Sequence, residues 1–397
     1  MTRPVRIGVV GCGAIAQIQH LPFLTELAEE FEVSAVCDAS PSAVAYAAKM
    51  FHVPNRYTDY REMLDSDIEA VLMCHYDPKT EVIVASLDAG KHVFVEKPVC
   101  YSNEEFSEIA EAVERSDKVA QAGYTKLYEP AYEVAKPEIE GMDDIRFVQV
   151  NHLHPNNDLH VGQFRTRTFD DIPTDVIEKT RAARRLAERQ AIGNVPPHIL
   201  RAFSTVAGSM IHDLYGLRDL FGTPSRVINT EIWQDGGAIS TTLEYPEGVR
   251  CVATWVDLPD LWDFYETLEV YGSRKRVIVS YPTGFSRDVA QVRIHEIDED
   301  GATIAKEPAV EWESPFRREL RHFHDYIVNG KTPRSPLIEA GQDVALVIDI
   351  MKAYLEGNPA RVDNDDIAER YRAGYRSAPA VDVELEGWTN QGVGPEG

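Results

Sequence analysis

Val5-Arg6-Ile7-Gly8-Val9-Val10-Gly11-Cys12-Gly13-Ala14-Ile15-Ala16 is a short apolar run that passes straight into a glycine turn and out into an amphipathic stretch. In this GxGxxA order each small residue has its own task. Gly11 permits the tight turn, Gly13 lets a pyrophosphate approach the backbone, and Ala16 lets the following helix pack closely on the strand. The turn alone is a weak signal. It gains force because the next apolar run, residues 33–37, ends at Asp38. An acidic side chain there accepts hydrogen bonds from the adenosine ribose hydroxyls and repels a 2′-phosphate. Gly11, Gly13, Ala14, Ile15 and Asp38 are therefore the expected dinucleotide contacts, with NAD preferred to NADP. An Asx-type turn role for Asp38, ahead of Ser40-Pro41, is compatible with this.

Outward from that turn, apolar runs at 7–10, 33–37, 70–74, 92–95 and 119–122 alternate with runs of helical period at 15–30, 42–51, 60–65, 80–89 and 103–116. The alternation predicts α/β architecture, a doubly wound parallel sheet with its ligand edge at the strand C-termini. Ala89-Gly90 closes one helix as a C-cap would. After Tyr124 the pattern changes. Strand-like runs at 144–154, 226–234, 239–245, 249–256, 265–271, 276–281 and 290–296 follow with few helices between them, and helical runs at 317–329 and 339–356 come last. This predicts an α+β part, an open-faced, predominantly antiparallel sheet with helices on one side. The expected division is a Rossmann domain at 1–124, a substrate and oligomerisation domain at 125–362, and an acidic tail at 363–397. An insertion at about 155–208 carries a helix over 174–192 with Thr174 as its N-cap, and reads as a lid or a subunit contact.

Composition narrows the class. With 397 residues, 44% of them hydrophobic and 26% charged, and no apolar run long enough to cross a bilayer, the chain reads as a globular protein with no membrane partner. A formal net charge of −25 disfavours a nucleic-acid partner. The basic cluster Lys179, Arg181, Arg184, Arg185 and Arg189 reads as a solvated or subunit-facing helix surface. Five scattered cysteines without a CxxC pair argue for reduced thiols and against a thiolate zinc site. The start of the chain runs directly into a strand, leaving no room for a secretory signal, so the cytoplasm is the expected location.

A second motif lies at the same sheet edge. Gly90-Lys91-His92-Val93-Phe94-Val95-Glu96-Lys97-Pro98 is a strand ending in Glu-Lys-Pro. A lysine there can orient a substrate hydroxyl and lower the cost of negative charge on its oxygen as hydride leaves the carbon. Together, the GxGxxA turn, Asp38, this block and the parallel-then-antiparallel order resemble the Gfo/Idh/MocA oxidoreductases, the group of glucose–fructose oxidoreductase and inositol dehydrogenase. The resemblance runs from about residue 5 to 361. It implies NAD(P)-dependent chemistry on sugars or cyclitols, homodimers or homotetramers built on the open sheet face, and Lys97 as the catalytic lysine. It also aligns His212, in Ser209-Met210-Ile211-His212-Asp213-Leu214, with the family's active-site histidine. The family's aspartate four residues earlier is replaced by Gly208, and Asp213 lies about 100° around the helix from His212. An acid/base or substrate-binding role for His212 stands beside a helix-capping or core role.

Other site expectations follow from the same alignment and from the residues themselves. Cys74-His75-Tyr76 replaces a Thr-Pro-Asn turn and is expected to flank the nicotinamide with Glu96 and Lys97. Lys126, His154 and Asp213 are the expected substrate contacts, with a surface position as the plainer reading of Lys126. His152 and His154 share a strand face near Asp158 and His160, the one constellation with metal-ligand types. Dehydrogenation needs no metal when lysine and histidine are present, and none is expected. Three function classes stand: a sugar or cyclitol dehydrogenase, a lyase or glycosidase using NAD transiently, and a non-catalytic dinucleotide-binding regulator.

Overall fold

The protein is described by a computed structural model covering residues 3–75 and 78–357. Its first sheet is built from Val5–Val10 (β1), Phe31–Cys37 (β2), Asn55–Tyr57 (β3), Ala70–Met73 (β4), His92–Glu96 (β5) and Ala120–Gly123 (β6), all parallel, in the order β3-β2-β1-β4-β5-β6. Helices cover both faces, so Ile7, Val9 and all four residues of β4 are buried and the strands read as unbroken apolar runs. Strand order reverses at β1, which opens a crevice beyond the C-termini of β1 and β4. Ser40 caps the helix Pro41–Met50, its Oγ accepting the Ala43 N–H at 3.0 Å.

Two expectations are corrected here. The helix expected over 15–30 is a wide π-type turn, Ala16–His20, followed by a short helix, Leu21–Glu26. Pro22 has no N–H to donate to the preceding turn, which disfavours a continuous α-helix through this point. β3 was not anticipated, because three mostly exposed edge residues carry no apolar alternation.

The second sheet contains Ile145–His154 (β7), Arg226–Trp233 (β8), Ala238–Glu244 (β9), Arg250–Asp257 (β10), Tyr265–Gly272 (β11), Lys275–Tyr281 (β12), Gln291–Ile297 (β13) and Thr303–Lys306 (β14). Its order is β14-β13-β12-β11-β7-β10-β9-β8, antiparallel except where β7 and β10 run side by side. Side chains alternate across β7: Val148, Val150 and His152 are buried toward the helices, while Asn151 on the outer face donates to Thr267 and Glu269, both at 3.1 Å. The insertion helix does begin at Thr174, but Pro173 holds the cap position and Thr174 makes no side-chain cap.

Packing does not stop at residue 124. The late helix Pro315–Asn329 returns to the first sheet, where Phe316, Leu320 and Phe323 join Ile7, Phe31 and Phe94 in one core. Phe323 stacks on Phe31 and meets Phe94 edge-on at 5.5 Å. Burial of each such ring contributes about 1.5–3 kcal/mol. The Ala122 N–H donates to the Ser335 carbonyl at 2.9 Å, adding a main-chain tie beside β6. Among the described residues no helix is long and apolar enough to cross a membrane. Tyr76 and the tail 363–397 lie outside the described residues.

Candidate active site

One cleft of about 2900 Å³ runs from the glycine turn across to the inner face of the second sheet. Gly11, Gly13, Ala14, Ile15, Asp38, Cys74 and His75 line its first half. Gly11 has φ +93°, and a Cβ there would come 2.2 Å from the His75 backbone nitrogen, so the close pass of the loop after β4 requires glycine. At Gly13 an added Cβ would meet nothing within 4 Å. The protein leaves that space open over the helix start, a cradle that fits the pyrophosphate of a dinucleotide. Asp38 closes the crevice, its Oδ2 accepting the Cys12 N–H at 2.8 Å and its Oδ1 the Ser40 N–H at 2.9 Å.

Lys97 stands at the end of β5, with a cis bond to Pro98. Its backbone N–H donates to Glu96 Oε2 at 3.1 Å, and Glu96 Oε1 lies 2.7 Å from His20 Nε2. Both side chains are buried. Burial raises the Glu96 carboxyl, but the His20 hydrogen bond and charge, with Lys97 and Lys79, outweigh it and hold it below its usual range. This contact fastens the end of the glycine-turn segment to the lysine-bearing strand. Glu96 therefore supports Lys97 from behind.

The Lys97 ammonium donates to the Gly208 carbonyl at 2.8 Å. Gly208 belongs to a second π-type turn, Val206–Met210, which leads into the helix Ile211–Phe221. At the position where the resemblance called for a carboxylate, the backbone itself meets the lysine. Arg218 anchors the helix from its far end, gripping Asp343 through two hydrogen bonds of 2.8 and 3.0 Å. His212 Nδ1 lies 2.8 Å from the Tyr215 hydroxyl, which accepts the Lys126 backbone N–H at 3.0 Å. Burial holds His212 well below the usual imidazole range, with Lys97, Lys126 and His152 adding to the effect. His212 is therefore neutral near neutral pH.

Asp213 is turned away from His212. Its Oδ1 accepts from Lys126 Nζ at 2.9 Å and its Oδ2 lies 2.9 Å from His152 Nδ1. Burial pushes the carboxyl up, but Lys126 and His152 overcome this and keep it below its usual range. Asp213 is expected to touch substrate; instead both its oxygens are engaged inside the protein. Lys126, by contrast, lines the cleft and also pairs with Glu266, a residue the sequence reading missed. His152, Asp213 and Glu266 each bring a ligand atom within 4.8 Å of one another. The Lys126 ammonium contacts both carboxylates and supplies the positive charge at that point. His154 brings no ligand atom to this cluster: its ring stacks on His152 at 5.5 Å and on Trp255 at 5.6 Å, and burial draws its pKa down to about 4. Asp158 and His160 lie on a short helix, Asp158–Val161, and do not join the group either.

Glu129, at the cap position of the helix Pro130–Glu140, also lines the cleft. It is 6% exposed, and burial raises its carboxyl to about 7. A folded-state value above the ordinary 4.5 favours the protonated form in the folded protein. Its stabilising contribution is complete below the ordinary value and is lost as pH rises through about 7, a change on the order of 3 kcal/mol. Glu129→Gln is expected to melt with wild-type at pH 4 and above it at pH 8. Thermal melts across that range check this, and parallel curves would show that Glu129 does not titrate there.

The fold and cleft define a class: a chain with a nucleotide-type parallel sheet and a second, mostly antiparallel sheet that share one cleft. Residues 5–124 match the model of the GFO_IDH_MocA oxidoreductase family, NAD-binding Rossmann fold. An uncharacterized oxidoreductase, YrbE, of Bacillus subtilis is 28% identical over 142 residues, 35% of this chain and 41% of that protein. An inositol 2-dehydrogenase of Burkholderia cenocepacia is 34% identical over 140 residues, 34% of this chain and 41% of its own length. The chain thus aligns with less than half of either relative. The crystal structure of myo-inositol 2-dehydrogenase from Lactobacillus plantarum superposes with a TM-score of 0.66 at 18% identity, covering 89% of this chain and 98% of that one, so the two share the whole fold.

Proposed function

We propose that the chain is an NAD-dependent oxidoreductase acting on a hydroxyl or carbonyl of a cyclitol, a sugar or a sugar derivative. The observation that carries this reading is the contact of the Lys97 ammonium with the Gly208 carbonyl, four residues before neutral His212, in the cleft that begins at Gly13. A bound nicotinamide supplies or accepts the hydride. Lys97 holds the reacting oxygen and stabilises the negative charge it carries once the hydroxyl proton is removed, or gains when hydride reaches a carbonyl carbon. His212, its ring fixed through Nδ1 by Tyr215, uses Nε2 to take up or return the hydroxyl proton. Lys126 and His154 reach substrate hydroxyls further along the cleft, and Asp213 positions Lys126 and His152.

The substrate class rests on the family of the N-terminal part and on the likeness to inositol 2-dehydrogenase. Preference for NAD rests on Asp38, whose carboxylate would face a 2′-phosphate. Pairing of copies through the outer face of the second sheet and a cytoplasmic location rest on the resemblance and the composition.

The test is a screen of cyclitols, sugars, sugar acids and glycosides with NAD+ and, separately, NADP+, followed by absorbance of the reduced cofactor. Net NADH formation with at least one cyclitol or sugar is the expected result, with a higher specificity constant for NAD+. Product without net NADH would replace this reading with transient oxidation followed by elimination. Dinucleotide binding without turnover on any of these substrates would leave a regulator.

A further inference from the structure

The insertion begins beside His154, where Pro155, Asn156 and Asn157 line the cleft, and residues 165–172 then run along the glycine-turn side. Gln17, just beyond the glycine turn, donates through Nε2 to the carbonyls of Cys12 and Arg167 at 2.8 and 2.9 Å, and its Oε1 accepts the Arg167 N–H at 2.9 Å. The Tyr46 hydroxyl donates to the Arg165 carbonyl at 2.9 Å, and Phe169 packs on the Tyr46 ring. Arg167, Thr168, Phe169 and Ile172 thereby become a wall of the same cavity that Asp38 and Ser40 line.

Asp171 ends this strap. Its carboxylate accepts the Ser42 N–H at 3.0 Å and the Ser40 hydroxyl, at the N-terminus of the ten-residue helix Pro41–Met50. Those donors keep the Asp171 carboxyl below its usual range. Ser40 also gives its N–H to Asp38. Two carboxylates from distant parts of the chain thus converge on two residues that follow β2, Ser40 and Ser42. A dinucleotide whose adenosine ribose rests on Asp38 would direct a 2′-phosphate beyond that carboxylate, toward these N–H groups and the positive end of the helix dipole.

We infer that Asp171 is a second determinant of cofactor choice: its carboxylate occupies the anion position that a 2′-phosphate would need. The inference rests on the proposed use of NAD and extends it to a residue outside the Rossmann part. In the NAD form the adenosine ribose presents only hydroxyls, which Asp38 can bind while Asp171 keeps its place. A 2′-phosphate would have to displace Asp171 and then lie beside Asp38. Arg167, its guanidinium 5.5 Å from the Tyr46 ring on the same strap, carries the charge that would instead favour a phosphate.

The test is fluorescence titration of NADH and of NADPH into the full-length protein, wild-type, Asp171→Asn and Asp171→Ala. The quantity read is the ratio of the two dissociation constants. Wild-type is expected to bind NADH more tightly, and both variants are expected to shift the ratio toward NADPH by about tenfold or more. Asn retains an acceptor for the Ser42 N–H without the charge, so a shift in Asn as well as Ala separates charge from strap integrity. A wild-type preference for NADH with an unchanged ratio in both variants, including equal losses for the two cofactors, would overturn the role of Asp171 and leave that of Asp38 standing. Tighter NADPH binding by wild-type would overturn both and point to Arg167. Binding of neither would remove the dinucleotide reading itself.

Discussion

Lys97→Ala is expected to lower turnover by about a thousandfold or more while NADH still titrates with an affinity close to wild-type. The asymmetry follows from where the ammonium acts. It stands at the end of β5, 2.8 Å from the Gly208 carbonyl, and its charge is needed most when negative charge develops on the substrate oxygen. Removing it leaves the glycine turn and Asp38 in place. His212→Ala is expected to lose less, because water can carry a proton that a neutral imidazole would otherwise handle. Steady-state kinetics of the two single variants and the double variant decide whether the pair acts as one unit, in which case their losses will not add. Turnover at the wild-type rate in Lys97→Ala would end the catalytic assignment.

Gly13→Val should cost the protein its dinucleotide, weakening NADH binding by about a hundredfold or more, with the thermal midpoint little changed. The combination is unusual for a glycine in a tight turn. It arises because a Cβ at Gly13 meets no atom beyond its own chain neighbours within 4 Å, so the added side chain projects into the open cradle where a pyrophosphate would lie. Gly11 makes the contrast: a Cβ there would run into the His75 backbone, so Gly11→Val destabilises the fold as well as the site. NADH titration alongside a thermal melt separates the two effects. Retained affinity in a folded Gly13→Val protein would remove the pyrophosphate from this turn.

Most of the first sheet was legible because its central strands are buried on both faces, which leaves an uninterrupted apolar signature at 7–10, 70–73 and 92–95. The place of Gly11, Gly13 and Asp38 along the cleft was legible because the turn and the crevice depend on local order along one βαβ unit. The short edge strand Asn55–Tyr57 left no such trace. Lys97 and His212 were found through motifs, and the structure puts both in one cleft. Their supports were hidden. His20 pairs with Glu96 across 76 positions, and Glu266 meets Lys126 across 140. Neither partner has a local pattern, since a buried carboxylate at a strand start reads like any solvated one. Asp213 is expected as a substrate contact, while its carboxylate bonds to Lys126 and His152. Its neighbours His152 and Lys126 come from a strand and a turn whose packing the sequence does not spell out. Asp171 lay in a stretch with no periodicity at all, where tertiary hydrogen bonds alone define its place.

The single parallel pair in the second sheet has a consequence for how the chain is assembled. β7 lies between β10 and β11, with Phe147 facing Arg250 on one side and Tyr271 on the other. As the first strand of this sheet to leave the ribosome, it therefore has to wait for about a hundred further residues before either neighbour exists. Until then Val148 and Val150 sit on a strand with two open edges, a template for pairing with another nascent chain. A chain stopped after β9 would keep both edges open. Once β10 and β11 arrive, the same strand lies inside the sheet with both edges paired.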